Sequence, residues 1–257
     1  MNHNAQAQHA IDLMGHVVNP TPVMAASEPH ANVAYFSSSA ANSHALATDG
    51  LSRTEIRTLV RQSRNCINQD EQEQLALIAS RHILAEIQAS NAKHVALYRA
   101  NDGELATDKL IETLWQEGVK TYLPRLHPFR KGQLIFLHYD KQTQLEANQF
   151  GILEPKLDVT QLMPAFKLDV ILTPLVAFDI YGNRIGMGGG YYDRCLGALT
   201  PQALAFGPPA FQALTPPIAI GFAHDCQQVS YIPVEAWDIP LAMVITPTRR
   251  ITPQLKA

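Results

Sequence analysis

From residue 51 onward, the apolar positions of the chain follow two periods, one typical of helices and the other of strands. In LSRTEIRTLVRQSRNCI, residues 51–67, apolar side chains recur near helical spacing, which predicts an amphipathic helix. After the polar break NQDEQEQ, a second amphipathic helix is predicted from the apolar residues Leu75, Ile78, Ile83, Leu84 and Ile87. Two helices therefore precede the first predicted strand.

The rest of the chain alternates between short apolar runs and helical segments. The predicted strands are HVALYRA, KTYLPRL, QLIFLHYD, LDVILTPLVAFD, IAIGFA and LAMVIT. The fourth is almost continuously apolar, as a buried central strand is. One helix that begins at Thr107 or Asp108 separates the first two strands, and another, from about Tyr191 to Leu199, follows the fourth. This alternation predicts an α/β fold, a single three-layer domain with a largely parallel central sheet and helices on both faces.

Composition mainly excludes certain classes of protein. The chain has 257 residues and a formal net charge of −3, so it lacks the basic surplus of a nucleic-acid-binding protein. No apolar run approaches the ~20 residues that a transmembrane helix needs, and no membrane partner is expected. Three widely spaced cysteines, Cys66, Cys195 and Cys226, form no C-x-x-C pair. We expect them to be free thiols of a cytoplasmic protein.

The first fifty residues differ from the rest of the chain. They contain no Lys or Arg and are rich in Ala, Asn, Ser, His and Pro, which is typical of neither a secretory signal nor a mitochondrial presequence. Half of the ten histidines lie here, but they have irregular spacing and no acidic or thiol companions, so no metal site is expected. Residues 1–50 are predicted to be a disordered extension, and residues 51–257 the folded domain.

The stretch YGNRIGMGGGYYDR, residues 181–194, holds five of the fourteen glycines of the chain. It follows the buried strand and leads into a helix, and ligands of parallel α/β sheets bind at the carboxyl ends of the strands. Free amides at the start of a helix attract anions, and glycines allow a phosphate to reach the backbone. The stretch matches neither the P-loop nor the dinucleotide fingerprint. An anion loop is predicted, and the alternative is a tight turn whose glycines pack a helix against a strand.

Two aspartates suggest a magnesium site beside this stretch. Asp193 falls in the first turn of the predicted helix, and Asp238 precedes the last predicted strand. Mg²⁺ is commonly held by one or two carboxylates together with substrate phosphate oxygens. The alternatives are that Asp193 complements the helix dipole and that Asp238 is an ordinary loop residue before a turn.

Four arginines of the first predicted helix share one side of it. Arg53, Arg57, Arg61 and Arg64 recur every three or four residues. The pattern is compatible with a solvated basic face or with an anion-binding edge.

The glycine stretch belongs to a longer series of motifs. After the arginine-rich helix, and between about Arg53 and Pro247, the chain carries in this order NDGELAT, YLPRLHPF, ILEPKLDV, LDVILTPLVAFDIYGNRIGMGGGYYDR, GFAHDCQ and IPVEAWDIPL. This set resembles the 5-formyltetrahydrofolate cyclo-ligases, also called 5,10-methenyltetrahydrofolate synthetases, and most closely their bacterial branch. The resemblance implies an enzyme that uses ATP and Mg²⁺ to convert 5-formyltetrahydrofolate to 5,10-methenyltetrahydrofolate, with release of ADP and phosphate.

The resemblance also implies roles for individual residues. Those implied to bind ATP are Arg53, Arg57, Arg184, Gly186, Gly188, Gly189, Gly190, Tyr191 and Tyr192. Those implied to bind the folate are Glu104, Met187, Gly188, Gly189, Gly190 and Tyr191. Arg184 and Tyr191 are implied to act in catalysis, and Asp193 and Asp238 to hold Mg²⁺.

The chain departs from the family pattern at several places. Arg53 stands where the family usually has Lys, some relatives carry basic residues at the positions of Met187 and Gly189, and residues 200–217 have no recognised counterpart. Two alternatives remain open: a folate- or nucleotide-binding paralogue without turnover, and a sugar-phosphate isomerase or CoA-transferase-like enzyme on a related scaffold. A monomer is expected.

Overall fold

The computed structural model describes residues 45–208 and 214–254. The strands of this part are β1 (His94–Ala96), β2 (Lys120–Leu126), β3 (Leu134–Tyr139), β4 (Leu145–Ala147), β5 (Leu153–Pro155), β6 (Leu162–Met163), β7 (Val170–Thr173), β8 (Ala177–Phe178), β9 (Arg184–Ile185), β10 (Ile218–Phe222), β11 (Met243–Ile245) and β12 (Arg250–Ile251). Its α-helices are α1 (Arg53–Asn65), α2 (Gln69–Ala89), α3 (Asp108–Gln116), α4 (Tyr191–Gly197) and α5 (Pro201–Ala205).

Eight strands form the central sheet, in the spatial order β12-β11-β10-β7-β1-β2-β3-β6. The five strands from β11 to β2 are parallel to one another. β3, β6 and β12 run antiparallel to their neighbours. In the middle of the sheet, Val95 of β1 is in register with Thr121 of β2 and Val170 of β7. The prediction of a largely parallel central sheet is confirmed.

Successive residues along the central strands face opposite layers of helices. Val95 lies in a core cluster with Ile83 of α2 and Leu114 of α3. Its neighbour Ala96 lies in a second cluster with Leu196 of α4. Because side chains alternate along a strand, both faces of the sheet are covered, as the three-layer prediction requires.

Helix α1 lies beyond the carboxyl ends of the strands and not on a face of the sheet. It begins with a capping box formed by Ser52 and Glu55. Its apolar residues Ile56 and Val60 pack with Val176, which follows β7. This packing brings the arginine side of α1 to the edge of the sheet where parallel α/β proteins bind ligands.

Residues 45–50, which the sequence analysis assigns to the N-terminal extension, pack against the domain. The backbone of Leu46 bridges to Val229, and the fully buried Thr48 donates its hydroxyl to the carbonyl oxygen of Tyr231 at 2.6 Å. The five histidines of the extension and the rest of residues 1–44 lie outside the described residues. Among the described residues, no helix has the length and apolarity to cross a bilayer.

Three local predictions need correction. Thr107 precedes α3, but its hydroxyl donates to the carbonyl oxygen of Tyr98 and caps no helix amide. The predicted fourth strand, residues 168–179, divides into β7 and β8, and the glycine stretch that follows it contains the turn and second strand of the β8–β9 hairpin. Helix α4 ends at Gly197, two residues before the predicted end.

Candidate active site

A cavity opens at the carboxyl ends of the central strands. Its walls come from the loop after β1, the end of β7, the glycine loop (residues 186–190) and the tip of the β4–β5 hairpin. Parallel α/β sheets bind ligands at this edge, and the cavity brings residues together that lie almost a hundred positions apart in the chain. It is the candidate active site.

The glycine stretch divides into two parts with different functions. Gly182 lies in the turn of the β8–β9 hairpin, where Asp179 accepts hydrogen bonds from the amides of Tyr181 and Asn183. With φ at +79°, Gly182 packs so tightly that a Cβ atom would lie 2.7 Å from Pro253. For this glycine, the interpretation as a tight structural turn is correct.

The glycine loop itself is shaped to expose its backbone. Gly188 and Gly190 adopt φ values of +102° and +63°, a region that glycine occupies readily. Within the described part of the protein, the amides of residues 186–190 donate no hydrogen bond. The loop carbonyl groups are held from outside, since Arg57 Nε donates to Gly186 O at 2.8 Å and the Arg194 guanidinium donates to Gly189 O. The loop therefore offers free amides to an anion.

The first two arginines of α1 contact the glycine loop and Asp238. Arg57 contacts the glycine loop, and burial lowers its pKa, with a further lowering by the charge of Arg53. Arg53 pairs with both carboxylate oxygens of Asp238. These contacts favour the interpretation of α1 as an anion-binding edge for its N-terminal half.

The last two arginines of α1 have a structural function. Arg61 and the fully buried Arg64 both bind the carboxylate of Asp102, at 2.6 and 2.7 Å. Asp102 is one of the non-glycine residues with a positive φ, +52°, and the two guanidinium groups hold it there. Because Asp102 lies two residues before Glu104, this ion-pair network fixes the loop that presents Glu104.

Arg184 lies between the two predicted metal ligands. Its buried guanidinium donates to Asp193 Oδ1 at 2.7 Å and to the carbonyl oxygen of Ile239. Burial lowers the pKa of Arg184, and the charges of Asp193 and Asp238 oppose that lowering. Both carboxylates are therefore close enough to act on one guanidinium group.

The two carboxylates differ in their fit to Mg²⁺. Asp193 Oδ2 has no hydrogen-bond partner among the described residues, so it is free to bind a cation. Asp238 has both oxygens engaged by Arg53, and its Oδ2 also accepts from the amide of Glu235. In the described part of the chain, no group of three or more acidic, His or Cys side chains surrounds a metal position. A pair of carboxylates suits Mg²⁺ only when phosphate oxygens complete its coordination.

Tyr191 stands at the cavity rim between a cation and an aromatic ring. The guanidinium of Arg194 lies 5.6 Å from the centre of its ring, and Phe150 meets the ring edge-on at 6.3 Å. Phe150 is the tip of the β4–β5 hairpin and is 57% exposed. Met187, in the glycine loop, is 53% exposed and also lines the cavity.

Glu104 supplies a carboxyl group to the opposite wall. It accepts one hydrogen bond, from the amide of Asn101 at 3.1 Å. Burial raises the pKa of Glu104 to about 7, although the Asn101 hydrogen bond and the charge of Arg64 lower it. At neutral pH the protonated and ionised forms are both populated, so the group can donate to or accept from a heterocycle.

Sequence reasoning missed part of the wall. Phe150, Asn148 and Glu154 reach the cavity through the β4–β5 hairpin, which the sequence analysis does not predict. The short Asn- and Gly-containing segment Asn148–Gly151, flanked by alternating apolar and polar residues, is a hairpin signal that would have predicted β4 and β5.

The arrangement suits transfer of a phosphoryl group to a heterocyclic substrate. Free amides and arginines line one side of the cavity, and a carboxyl group with apolar neighbours lines the other. The alternative enzyme classes would need a catalytic carboxylate or lysine near the loop. Among the described residues no lysine lines the cavity, whereas the carboxyl group of Glu104 does.

The fold and site define a three-layer α/β protein whose glycine loop has free amides at the carboxyl edge of the sheet. The model of the 5-formyltetrahydrofolate cyclo-ligase family matches residues 49–247, and the chain belongs to this family.

Relatives from two bacteria are similar over most of this match. A 5-formyltetrahydrofolate cyclo-ligase of Escherichia coli (strain K12) is 44% identical over 191 residues, which cover 74% of this chain and 98% of that protein. One from Haemophilus influenzae is 43% identical over 189 residues, 74% of this chain and 94% of that protein. The prediction of the family is confirmed.

Solved structures show the same fold at lower sequence identity. The 5,10-methenyltetrahydrofolate synthetase of Aquifex aeolicus superposes with a TM-score of 0.63 at 24% identity, covering 80% of this chain and 94% of that one. The corresponding protein of Mycoplasma pneumoniae gives 0.58 at 22% identity, covering 77% and 99%.

Proposed function

We propose that the chain catalyses the ATP-dependent conversion of 5-formyltetrahydrofolate to 5,10-methenyltetrahydrofolate. The observation that carries the proposal is one cavity lined both by the glycine loop, whose amides are free, and by the Glu104 carboxyl group. This lining supports the binding of a phosphate next to a pterin. The names of its bacterial relatives support the same reaction.

The reaction proceeds in two steps. The formyl oxygen attacks the γ-phosphorus of ATP, and the bond to ADP breaks. N10 of the folate then attacks the activated formyl carbon, and the formyl oxygen leaves within inorganic phosphate as N10 loses its proton. Phosphoryl transfer depends mainly on positioning and charge stabilisation, so no protein nucleophile is needed.

Arg184 and the glycine loop serve the transferred phosphate in this proposal. The buried guanidinium of Arg184 has a weakened hydration, so its attraction for phosphate oxygens is strong. Arg57, already bonded to Gly186 O, adds a second positive charge beside the loop. The amides of residues 186–190 are the remaining donors.

Asp193 is the residue we assign to Mg²⁺, and Asp238 joins it if Arg53 turns toward the nucleotide. When bound, Mg²⁺ neutralises charge on the β- and γ-phosphates of ATP. The free Oδ2 of Asp193 supports this assignment, and the Arg184 contact to Oδ1 orients the carboxylate.

The other wall binds the folate. Glu104 pairs with the polar edge of the pterin, while Tyr191 and Phe150, whose rings already meet at 6.3 Å, border the apolar part of the substrate. A cytoplasmic monomer remains our expectation for the state in which the protein acts.

The decisive experiment mixes the purified protein with 5-formyltetrahydrofolate and MgATP, and follows methenyl absorbance together with ADP. We expect stoichiometric formation of both products. Folded protein that binds ATP without forming product would overturn the proposal and favour a binding paralogue. Product formation without ADP would contradict the phosphorylation step.

A further inference from the structure

The hydroxyl group of Tyr192 is buried and unpaired. Its oxygen is shielded from solvent and has no hydrogen-bond partner among the described residues, although the ring packs against the apolar cluster below α4. Buried polar groups are nearly always hydrogen-bonded, so an exception calls for an explanation.

Other buried tyrosines of the molecule satisfy their hydroxyl groups. Tyr98 donates to the carbonyl oxygens of Leu105 and Phe222, at 3.0 and 3.3 Å. The hydroxyl of Tyr122 lies 2.8 Å from Nδ1 of His94. Tyr98 and Tyr192 both line the candidate active site, but among the described residues only the Tyr98 hydroxyl has a partner.

Tyr192 lies within the electrostatic influence of both sides of the cavity. The charge of Glu104 acts on its phenol from the folate side, and that of Arg184 from the phosphate side. Burial raises the pKa of Tyr192 well above its ordinary value, with smaller contributions from Cys195 and Glu104. The phenol therefore keeps its proton at any physiological pH and is a hydrogen-bond donor.

We propose that the Tyr192 hydroxyl donates a hydrogen bond to a carbonyl oxygen on the N5 side of the pterin of the substrate. Two such oxygens lie next to each other in 5-formyltetrahydrofolate, the formyl oxygen and the 4-oxo group. The proposal rests on the proposed function. It moves Tyr192 from the ATP site, where the family resemblance places it, to the folate site.

The structural reason is that the Tyr192 hydroxyl needs a hydrogen-bond acceptor and the substrate oxygen can supply one. The Tyr192 phenol lacks an acceptor, and the reacting oxygen of the substrate must lie between the pterin subsite near Glu104 and the phosphate subsite near Arg184. A hydrogen-bond donor at this junction holds the oxygen in line for attack. Tyr192 would therefore contact the substrate directly and position it.

The test is the Tyr192→Phe variant, which keeps the ring and removes only the hydroxyl. We expect the KM for 5-formyltetrahydrofolate to rise about tenfold, as for loss of one buried hydrogen bond to a substrate. The KM for ATP stays within twofold, and Tm does not fall because no partner in the free protein is lost. A rise in the KM for ATP alone, or no change in either KM, would overturn the proposal.

Tyr122→Phe is the matched control. It also removes one buried hydroxyl, but from a tyrosine outside the cavity that is paired with His94. We expect Tm to fall and the KM for the folate to stay unchanged, the reverse of Tyr192→Phe. If both variants raised the KM equally, a general packing effect would replace the proposed contact.

Direct binding separates the inference from the proposed function. Calorimetric titration with 5-formyltetrahydrofolate in the absence of ATP needs no turnover. A wild-type protein that binds the folate without turnover defeats the proposed reaction, while weaker binding by Tyr192→Phe still supports the contact. Equal binding by both proteins defeats the contact, whatever the turnover. A wild-type protein that does not bind the folate defeats both.

A second ligand identifies the oxygen. Tetrahydrofolate retains the 4-oxo group and lacks the formyl group. A loss of affinity in Tyr192→Phe for both ligands assigns the hydrogen bond to the 4-oxo group, and a loss for 5-formyltetrahydrofolate alone assigns it to the formyl oxygen.

Discussion

The two walls of the cavity differ in how their polar side chains are paired. On the phosphate wall, Arg184 is paired with Asp193 and Arg53 with Asp238, and the groups without a partner among the described residues are the loop amides and Asp193 Oδ2. On the folate wall, Glu104 has a single backbone partner and the Tyr192 hydroxyl has none among the described residues.

This difference indicates which wall depends on its ligand to supply hydrogen-bond partners for its side chains. Polar groups without partners cost free energy in the unliganded protein, and a substrate that supplies the partners recovers that cost. On the phosphate wall, the ion pair with Asp193 instead keeps Arg184 in place before ATP arrives. Arg184 is preorganised, and the folate wall is completed by its ligand.

The largest test of the phosphate wall is Arg184→Ala. We expect kcat to fall about 10²–10³-fold, as for removal of one preorganised charge at a reacting centre. Methenyl absorbance under saturating substrates measures it. Arg184→Lys keeps the charge without the planar geometry and should recover only part of the rate. A rate within tenfold of wild type for the alanine variant would contradict the assigned role.

Asp193→Asn is the next test, because it keeps the size of the side chain and removes the charge. We expect turnover to fall about a hundredfold and the Mg²⁺ concentration for half-maximal rate to rise. Circular dichroism melting serves as the control. If the variant chiefly lowered Tm, Asp193 would be a partner of the helix dipole and of Arg184 only.

Glu104→Gln tests the folate wall through pH. The folded pKa of about 7 lies above the ordinary 4.5, so the unfolded chain releases its proton first as pH rises. The wild type therefore loses stability between pH 4.5 and 7, and the variant does not. We expect Tm of the variant to exceed that of the wild type at pH 8, with the difference vanishing near pH 4.5.

The same variant should raise the KM for the folate about tenfold, since a charged hydrogen bond to the pterin is lost. The KM for ATP is the internal control. An equal rise in both constants would place Glu104 outside the folate wall.

Gly189→Ala is the smallest expected effect. A Cβ atom at Gly189 would lie 2.7 Å from the ring of Tyr191, whereas one at Gly186 would meet nothing within 4 Å. Displacement of the ring should lower kcat/KM for the folate about fivefold. Gly186→Ala should lower it less, and the reverse order would show that the ring position does not matter.

The local pattern of apolar and polar residues predicted the sheet and most helices, because burial in the core dictates where apolar residues occur along a strand or helix. The apolar run at 168–179 yielded β7, and its neighbours alternate as the two core clusters require. The ion pair between Asp238 and Arg53 and the packing of Gly182 against Pro253 could not be predicted. A sequence shows that Asp238 and Arg53 are charged, but only the approach of α1 to the loop before β11 shows that they neutralise each other.

The function of single arginines was equally hidden. Four residues that recur every three or four positions on α1 divide among three partners. Arg53 pairs with Asp238, Arg57 with the glycine loop, and Arg61 and Arg64 with Asp102. Periodicity places them on one side of the helix, and the elements that pack there decide what each one contacts.

The N-terminal strap at residues 45–50 has a consequence for how much of the chain is dispensable. Thr48 holds the carbonyl oxygen of Tyr231 at 2.6 Å, and its amide donates to the Ser230 hydroxyl. The segment that begins there leads to Asp238. A shortened protein that starts at residue 51 would lose the anchor of that segment, whereas one that starts before Leu46 would retain it. The point of truncation therefore decides whether the segment that leads to Asp238 keeps its attachment to the N-terminal strap.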